Sequence, residues 1–196
     1  MNTDCTGDNM TVEDYKKIIR PMMGDKRYTH SVNVSAEAVR LAKKYGADVE
    51  KAAVAGILHD ITKEVDSQKQ LQIIQSGDII LSDVEKKAEK LWHAISGSVY
   101  IQKELGIDDE DIINAVRYHT TARAGMSLLE KVVFLADFTS VERNYPDIDV
   151  IREKAEISLE EGMLYGIRFT LNKLLSIDRC LSIDAVEAYN EILLNR

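Results

Sequence analysis

Ala52-Ala53-Val54-Ala55-Gly56-Ile57-Leu58-His59-Asp60-Ile61-Thr62-Lys63 decides how the rest of this chain is read. The small and apolar residues predict a closely packed helix, and that helix ends in an imidazole beside a carboxylate. Successive helical residues lie about 100° apart, so His59 and Asp60 both reach a cleft at the helix end, with Lys63 one turn further on. An isolated His-Asp pair of this kind reads as a hydrogen-bonded core histidine next to a solvated acid. Only the other histidines can turn that reading into a metal site.

Working outward, residues 1 to 10 read as a disordered lead. Thr11 and Asp14 resemble a capping box that opens a helix with Val12, Tyr15, Ile18 and Ile19 inward. Pro21 and Gly24 close it. The next helix runs from Asp25 to Tyr45, with Val34, Ala38, Leu41 and Ala42 at helical spacing and Gly46 as a left-handed cap. Arg27 and His30 share a face near its start. Asp48 caps the helix that ends in His59-Asp60, and a short helix from Ser67 to about Gln75 follows. Ser82 or Asp83 starts a segment to Leu105 that is interrupted or bent around Trp92 to Ser98. Asp108 then caps a helix from Ile112 to His119, Thr120 to Gly125 form a loop, and Ser127 caps a strongly apolar helix from Leu128 to Asp137. Beyond Pro146, helices near 148–156, 158–176 and 183–194 complete the chain. Residues 11–196 thus read as a single all-α domain with additional C-terminal helices.

Two prolines and ten glycines among 196 residues, with acids and bases interspersed, fit this helical reading. A chain of this length can bury a core without disulfides or structural metals, so a metal here is free to serve chemistry. Cys5 and Cys180 lack any C-x-x-C companion, which argues against a thiolate zinc site or a disulfide framework. The formal charge of −8 argues against nucleic acid or an anionic membrane as partner. No run approaches the roughly 18 apolar residues of a membrane span, and no signal peptide is visible. The expectation is a soluble, cytoplasmic protein whose oligomeric state, a homodimer included, is left open.

The four histidines all fall at or near predicted helix termini. Asp60 and Asp137 both end apolar helices, where the helix dipole disfavours a carboxylate and burial without a partner costs several kcal/mol. A bound cation would remove both objections. Asp137 makes the sharper case, because Val133 and Phe134 one turn back point into the core. Imidazole and carboxylate without thiolate suit iron, manganese or zinc. Six candidate ligands exceed what one catalytic ion usually takes. Two ions sharing Asp60 would account for His30, His59, His93, His119 and Asp137, with a bridging water as nucleophile.

His30, then His59-Asp60, then Asp137 follow the H…HD…D pattern of the HD-domain phosphohydrolases, with His93 and His119 as added second-metal histidines. Lys26-Arg27-Tyr28-Thr29-His30-Ser31, Ala55-Gly56-Ile57-Leu58-His59-Asp60, Tyr118-His119-Thr120-Thr121 and Gly125-Met126-Ser127-Leu128-Leu129-Glu130-Lys131 resemble the YqeK-type symmetrical dinucleoside tetraphosphatases over roughly residues 12–190. The resemblance implies an HD-domain helical bundle and a di-iron centre. It also implies hydrolysis of diadenosine tetraphosphate, or related dinucleoside polyphosphates, to two ADP. On that basis His30, His59, Asp60 and Asp137 are assigned to one ion, and His93, His119 and Asp60 to the other. Asp60 and Lys63 are the expected catalytic residues. Two stretches depart from the family pattern. Ala122 stands where Gly is usual, and Phe138-Thr139-Ser140-Val141-Glu142-Arg143 replaces Y-I-E-P-x-R.

Lys63, Arg27 and Arg123 are candidate phosphate contacts, their charge suited to a pentavalent transition state, and Arg143 is added to the substrate set. For each, a surface salt bridge is the competing reading. Thr120 and Thr121 either donate to phosphate or satisfy the last turn of their own helix. Trp92 either stacks a base or, as is usual for a lone Trp in an apolar helix, belongs to the core. Two other functions fit the same residues: another HD-class phosphohydrolase acting on a nucleoside monophosphate or an alarmone, and a metal-dependent nucleotide sensor without turnover.

Overall fold

Gly56 is where the packing begins. In the computed structural model, which describes residues 10–196, a Cβ added at Gly56 would lie 2.7 Å from the Ser35 Cα and 3.3 Å from the Ala38 Cβ. Helices α2 (Asp25–Tyr45) and α3 (Val49–Leu58) therefore cross at backbone contact. Ser35 Oγ also donates to the Ala53 carbonyl at 2.8 Å across this crossing. Small residues let the two helices approach, while Ile57 and Leu58 are fully buried beside them. Each such apolar side chain contributes about 1.5–3 kcal/mol relative to exposure.

Eleven α-helices and no strand occur among the described residues. The expected disordered lead lies outside those residues except for Met10, and so does Cys5. Helix α1 (Val12–Ile19) starts on the expected Thr11–Asp14 capping box and packs on α3. Gly46 ends α2 in the left-handed conformation, with φ of 81°. Helix α4 (Ser67–Ser76) packs on α6 (Trp92–Lys103), α6 on α7 (Glu110–Tyr118), and α7 on both α3 and α8 (Leu128–Thr139). The remaining long helices are α9 (Ile148–Ile157), α10 (Leu159–Leu175) and α11 (Ile183–Leu194). Of these, α10 packs against α8, α9 and α11. No described helix is long and apolar enough to cross a membrane.

Three boundaries differ from expectation. The segment after Ser82 breaks at Ala88, between α5 (Asp83–Lys87) and a short 3-10 helix (Glu89–Leu91), and α6 then runs unbroken through Trp92 to Ser98. The break is tertiary in origin, since the Trp92 indole donates to the Glu85 carbonyl at 2.8 Å and Arg117 pairs with the Glu85 carboxylate at 2.6 Å. Asp109, not Asp108, caps α7; it accepts from the backbone of Asp111 and Ile112, and the helix starts at Glu110. Placing Glu110 and Asp111 in the first turn suits the positive end of the helix dipole. Helix α8 continues two residues past Asp137, so that carboxylate sits in its last turn.

Candidate metal centre

Four helices deliver the four histidines to one point. His30 lies in the second turn of α2, His93 in the first turn of α6, and His59 and His119 directly follow α3 and α7. All four are buried, as is Asp60. His59 and His119 are oriented in the same way: each is the αR residue closing its helix, and each Nδ1 sits 2.8 Å from the carbonyl three residues back, Gly56 and Val116 respectively. Donation there fixes the tautomer and leaves Nε2 as the free lone pair.

Asp60 stands between two groups of imidazoles. Its Oδ2 is 3.3 Å from His59 Nε2 and 3.7 Å from His30 Nε2, while Oδ1 is 3.2 Å from His93 Nε2 and 3.6 Å from His119 Nε2. His30 and His59 approach to 3.2 Å through their Nε2 atoms, and His93 and His119 do the same. Asp137 adds its Oδ1 at 3.0 Å from His30 Nε2 and 3.9 Å from His59 Nε2. Potential ligand atoms cluster as His30-His59-Asp60, His59-His119-Asp137 and Asp60-His93-His119, each within the span of one ion's coordination sphere. Nitrogen and oxygen donors in these numbers fit a borderline divalent metal.

The electrostatics agree with cation binding. Burial alone would push the Asp60 carboxyl up, but the imidazoles of His59, His119 and His93 outweigh it and hold the group well below its usual range. Asp137 follows the same pattern: burial opposes ionisation, and His30, Arg143 and His59 more than offset it. Burial pushes His93 down to about 4 against the pull of Asp60, so the imidazole is neutral at ordinary pH, the form that can coordinate a metal.

Cationic side chains surround these carboxylates. Arg27 Nη1 is 2.6 Å from Asp60 Oδ2, and its Nε is buried without a hydrogen-bond partner. Lys63 Nζ lies 4.0 Å from Asp60 Oδ1 and 3.0 Å from His93 Nε2, and burial pushes its amine down from the ordinary lysine value. Arg143 pairs with the Asp137 carboxylate, donates through Nε to the Asp137 carbonyl at 2.7 Å, and reaches within 3.4 Å of His30 Nε2. The Thr120 and Thr121 hydroxyls are buried with no partner, so they do not satisfy the turn that carries them. Ala122 after them is fully buried at a positive φ of 58°, a conformation that favours Gly and costs a residue with a Cβ about 1 kcal/mol or more.

Two of the open alternatives are narrowed, in each case toward the structural reading. Arg123 is not brought to the cluster: Nε and Nη2 both donate at 2.7 Å to the buried carboxylate of Glu130, and the guanidinium lies over the Tyr118 ring. Trp92 packs with Ile74, Leu81 and Ile95 in a second apolar cluster, so it is core rather than a base platform. One functional neighbour escaped the sequence reading. Glu142 accepts a hydrogen bond from His30 Nδ1, and also from Asn33 and Ser140 at 2.8 Å each. It fixes His30 as the carbonyls fix His59 and His119. No periodicity marks it, because the contact spans 112 residues of chain.

The chain can be compared with known proteins on this geometry. Residues 27–141, from Arg27 to just before Glu142, match the HD domain. The chain is 35% identical over 180 residues to the symmetrical bis(5'-nucleosyl)-tetraphosphatase of Halalkalibacterium halodurans, covering 92% of this chain and 96% of that protein. It is likewise 35% identical over 181 residues to the protein of the same name from Bacillus subtilis, covering 92% and 97%. The crystal structure of a "predicted HD superfamily hydrolase involved in NAD metabolism" from Clostridium acetobutylicum superposes with a TM-score of 0.92 at 33% identity, covering 95% of this chain and 99% of that one. With these matches and its buried His-Asp cluster, the chain belongs to the HD domain family, in the group whose members are named symmetrical bis(5'-nucleosyl)-tetraphosphatases.

Proposed function

We propose that this chain, acting as one unit over residues 11–196, hydrolyses diadenosine tetraphosphate and related dinucleoside polyphosphates symmetrically, releasing two ADP from the former. The observation that carries the reading is the division of Asp60, whose two oxygens face two different pairs of imidazoles. On this reading His30, His59, Asp60 and Asp137 hold one divalent ion, and Asp60, His93 and His119 hold a second. The donor set suits iron, manganese or zinc, with iron favoured by the resemblance to the tetraphosphatases. Such ions, when bound, neutralise phosphate oxygens and lower the pKa of water.

The protein's own groups do the positioning. Lys63 and Arg27, which already contact Asp60 from opposite sides, supply positive charge to the oxygens of an inner phosphate. The Thr120 and Thr121 hydroxyls are free to donate to a phosphate oxygen, and a buried hydroxyl left without a partner costs about 1–3 kcal/mol. Glu142 and Arg143 hold His30 and Asp137 in place rather than touching the reacting atoms. Cleavage of the bridge between the second and third phosphorus atoms expels ADP from either direction, whereas cleavage of an outer bridge yields AMP and ATP. A site that grips one nucleoside diphosphate half and lets the other project out selects the first outcome.

Hydrolysis in oxygen-18 water, with products separated by mass, tests this. ADP should be the sole product from diadenosine tetraphosphate, half of it carrying one labelled oxygen. AMP and ATP in equal amounts would sink the symmetric assignment, and tight metal-dependent binding without turnover would favour the sensor.

A further inference from the structure

The His-Asp cluster accounts for the phosphates of a dinucleotide and leaves its bases without a seat. Beside Asp137 and Arg143 lies a cavity of about 200 Å³ that Phe138, Tyr145 and Phe169 also line. Tyr145 and Phe169 also line a wider groove of about 930 Å³, whose other wall includes Tyr165, Arg168 and Asn172. The two spaces share Tyr145 and Phe169 in their walls, so the groove borders the cavity that Asp137 and Arg143 line. On α10 the groove residues Tyr165, Arg168, Phe169, Asn172 and Lys173 recur at i, i+3, i+4, i+7 and i+8, and the C-cap Ser176 continues the row. That spacing makes one helix face, distinct from the core stripe of Gly162, Met163, Gly166 and Ile167. The Tyr145 and Phe169 ring centroids are 5.5 Å apart with their planes tilted by 34°. The Tyr145 hydroxyl donates to the Phe138 carbonyl at 2.7 Å, which holds the ring at the junction of the two spaces. Arg168 lies over the Tyr165 ring at 5.0 Å and is itself exposed.

We propose that this groove, between the connection from α8 to α9 and the outer face of α10, seats one nucleoside of the substrate. Phosphate and ribose pass through the smaller cavity beside Arg143, and the base rests against Phe169 and Tyr165. The Arg168 guanidinium covers the base, and the Asn172 amide lies within the same wall to meet a base edge. Aromatic rings beside a guanidinium accept any purine by its π face, so the site grips the base by stacking before it reads its edge. This rests on the dinucleoside polyphosphate reading above and adds where the nucleoside sits.

Calorimetric binding of ADP and of pyrophosphate to the metal-loaded protein tests the groove without relying on turnover. Phe169→Ala should weaken ADP binding roughly tenfold, the scale of one lost base stack, while pyrophosphate affinity and metal content stay unchanged. Phe169→Leu, which keeps apolar volume, and Arg168→Glu, at an exposed position, should move ADP in the same direction and serve if Phe169→Ala folds poorly. The KM for diadenosine tetraphosphate should rise in parallel. Unchanged ADP binding in these variants, or equal losses for ADP and pyrophosphate, overturns the groove. A wild-type protein that binds ADP through Phe169 but yields no ADP from the tetraphosphate would sink the proposed reaction and leave the nucleoside seat standing.

Discussion

On the Oδ2 side of Asp60, His30 stands between two further carboxylates, with Asp137 at its Nε2 and Glu142 at its Nδ1. On the Oδ1 side, His93 has the Lys63 amine within 3.2 Å of Nδ1 and no carboxylate but the shared one. Two imidazoles serve each side, and His59 and His119 are oriented by the same carbonyl device. What differs is the charge arrayed behind the ligands. On the proposed reading the first side offers a cation two carboxylates, whereas the second offers His93, His119 and half of Asp60 while facing an ammonium group. The contrast teaches that two groups with the same imidazole count can differ in the partners behind them, which are expected to tune metal affinity.

The largest expected effect comes from removing what the two sides share. Asp60→Ala should abolish turnover and strip both ions, whereas Asp137→Asn should lower metal content only from about two equivalents to about one, a difference read by elemental analysis. Equal losses in the two variants would erase the distinction between the sides. Next comes acid sensitivity of the metal-free protein. The His93 imidazole has a folded value of about 4 against an ordinary 6.5, so between those limits the unfolded chain binds the extra proton. Stability from this group is therefore complete above 6.5 and is lost as pH falls toward 4, on the order of 3 kcal/mol in all. Denaturant titrations across that window should show the slope, and His93→Asn should flatten it. Asp60 and Asp137, both held low, add their own losses only below the usual carboxylate range.

Lys63→Ala should keep its metal and lose roughly 10²-fold in rate, the scale of one transition-state stabiliser. A variant whose second-side ion instead binds more tightly would show that the amine competes with the cation there. Glu142→Gln should be milder, weakening the first-side ion about tenfold and recovering at higher metal concentration. Weakening of the second-side ion instead would place Glu142 on the wrong side of the comparison.

The members of the buried His-Asp cluster were legible because metal chemistry needs rare residue types at helix ends, and His30, His59, His93, His119, Asp60 and Asp137 stand out for that reason. The all-helical class was equally open to reading, from capping boxes such as Thr11–Asp14 and from the scarcity of proline. The partners of the ligands were not, because they are set by contacts between distant segments, as with Glu142 and His30. The Arg123 pairing had a visible signal. Ser127 and Glu130 form a capping box readable in the sequence, and a Glu held at that position is a ready partner for a cation seven residues before it. The break at Ala88 had none, since it depends on the Trp92 indole turning back to Glu85.

Gly56 has two jobs at once: its missing side chain sets how near α2 lies to α3, and its carbonyl takes the Nδ1 of His59. The separation of His30 from His59 is thus gauged by a residue that brings no side chain to the cluster. For anyone evolving or engineering this chain, position 56 cannot be adjusted for folding alone. A methyl group there would act as a wedge whose far end is felt between two imidazoles, so selection for a sturdier helix pair and selection for a working metal site draw on the same atom.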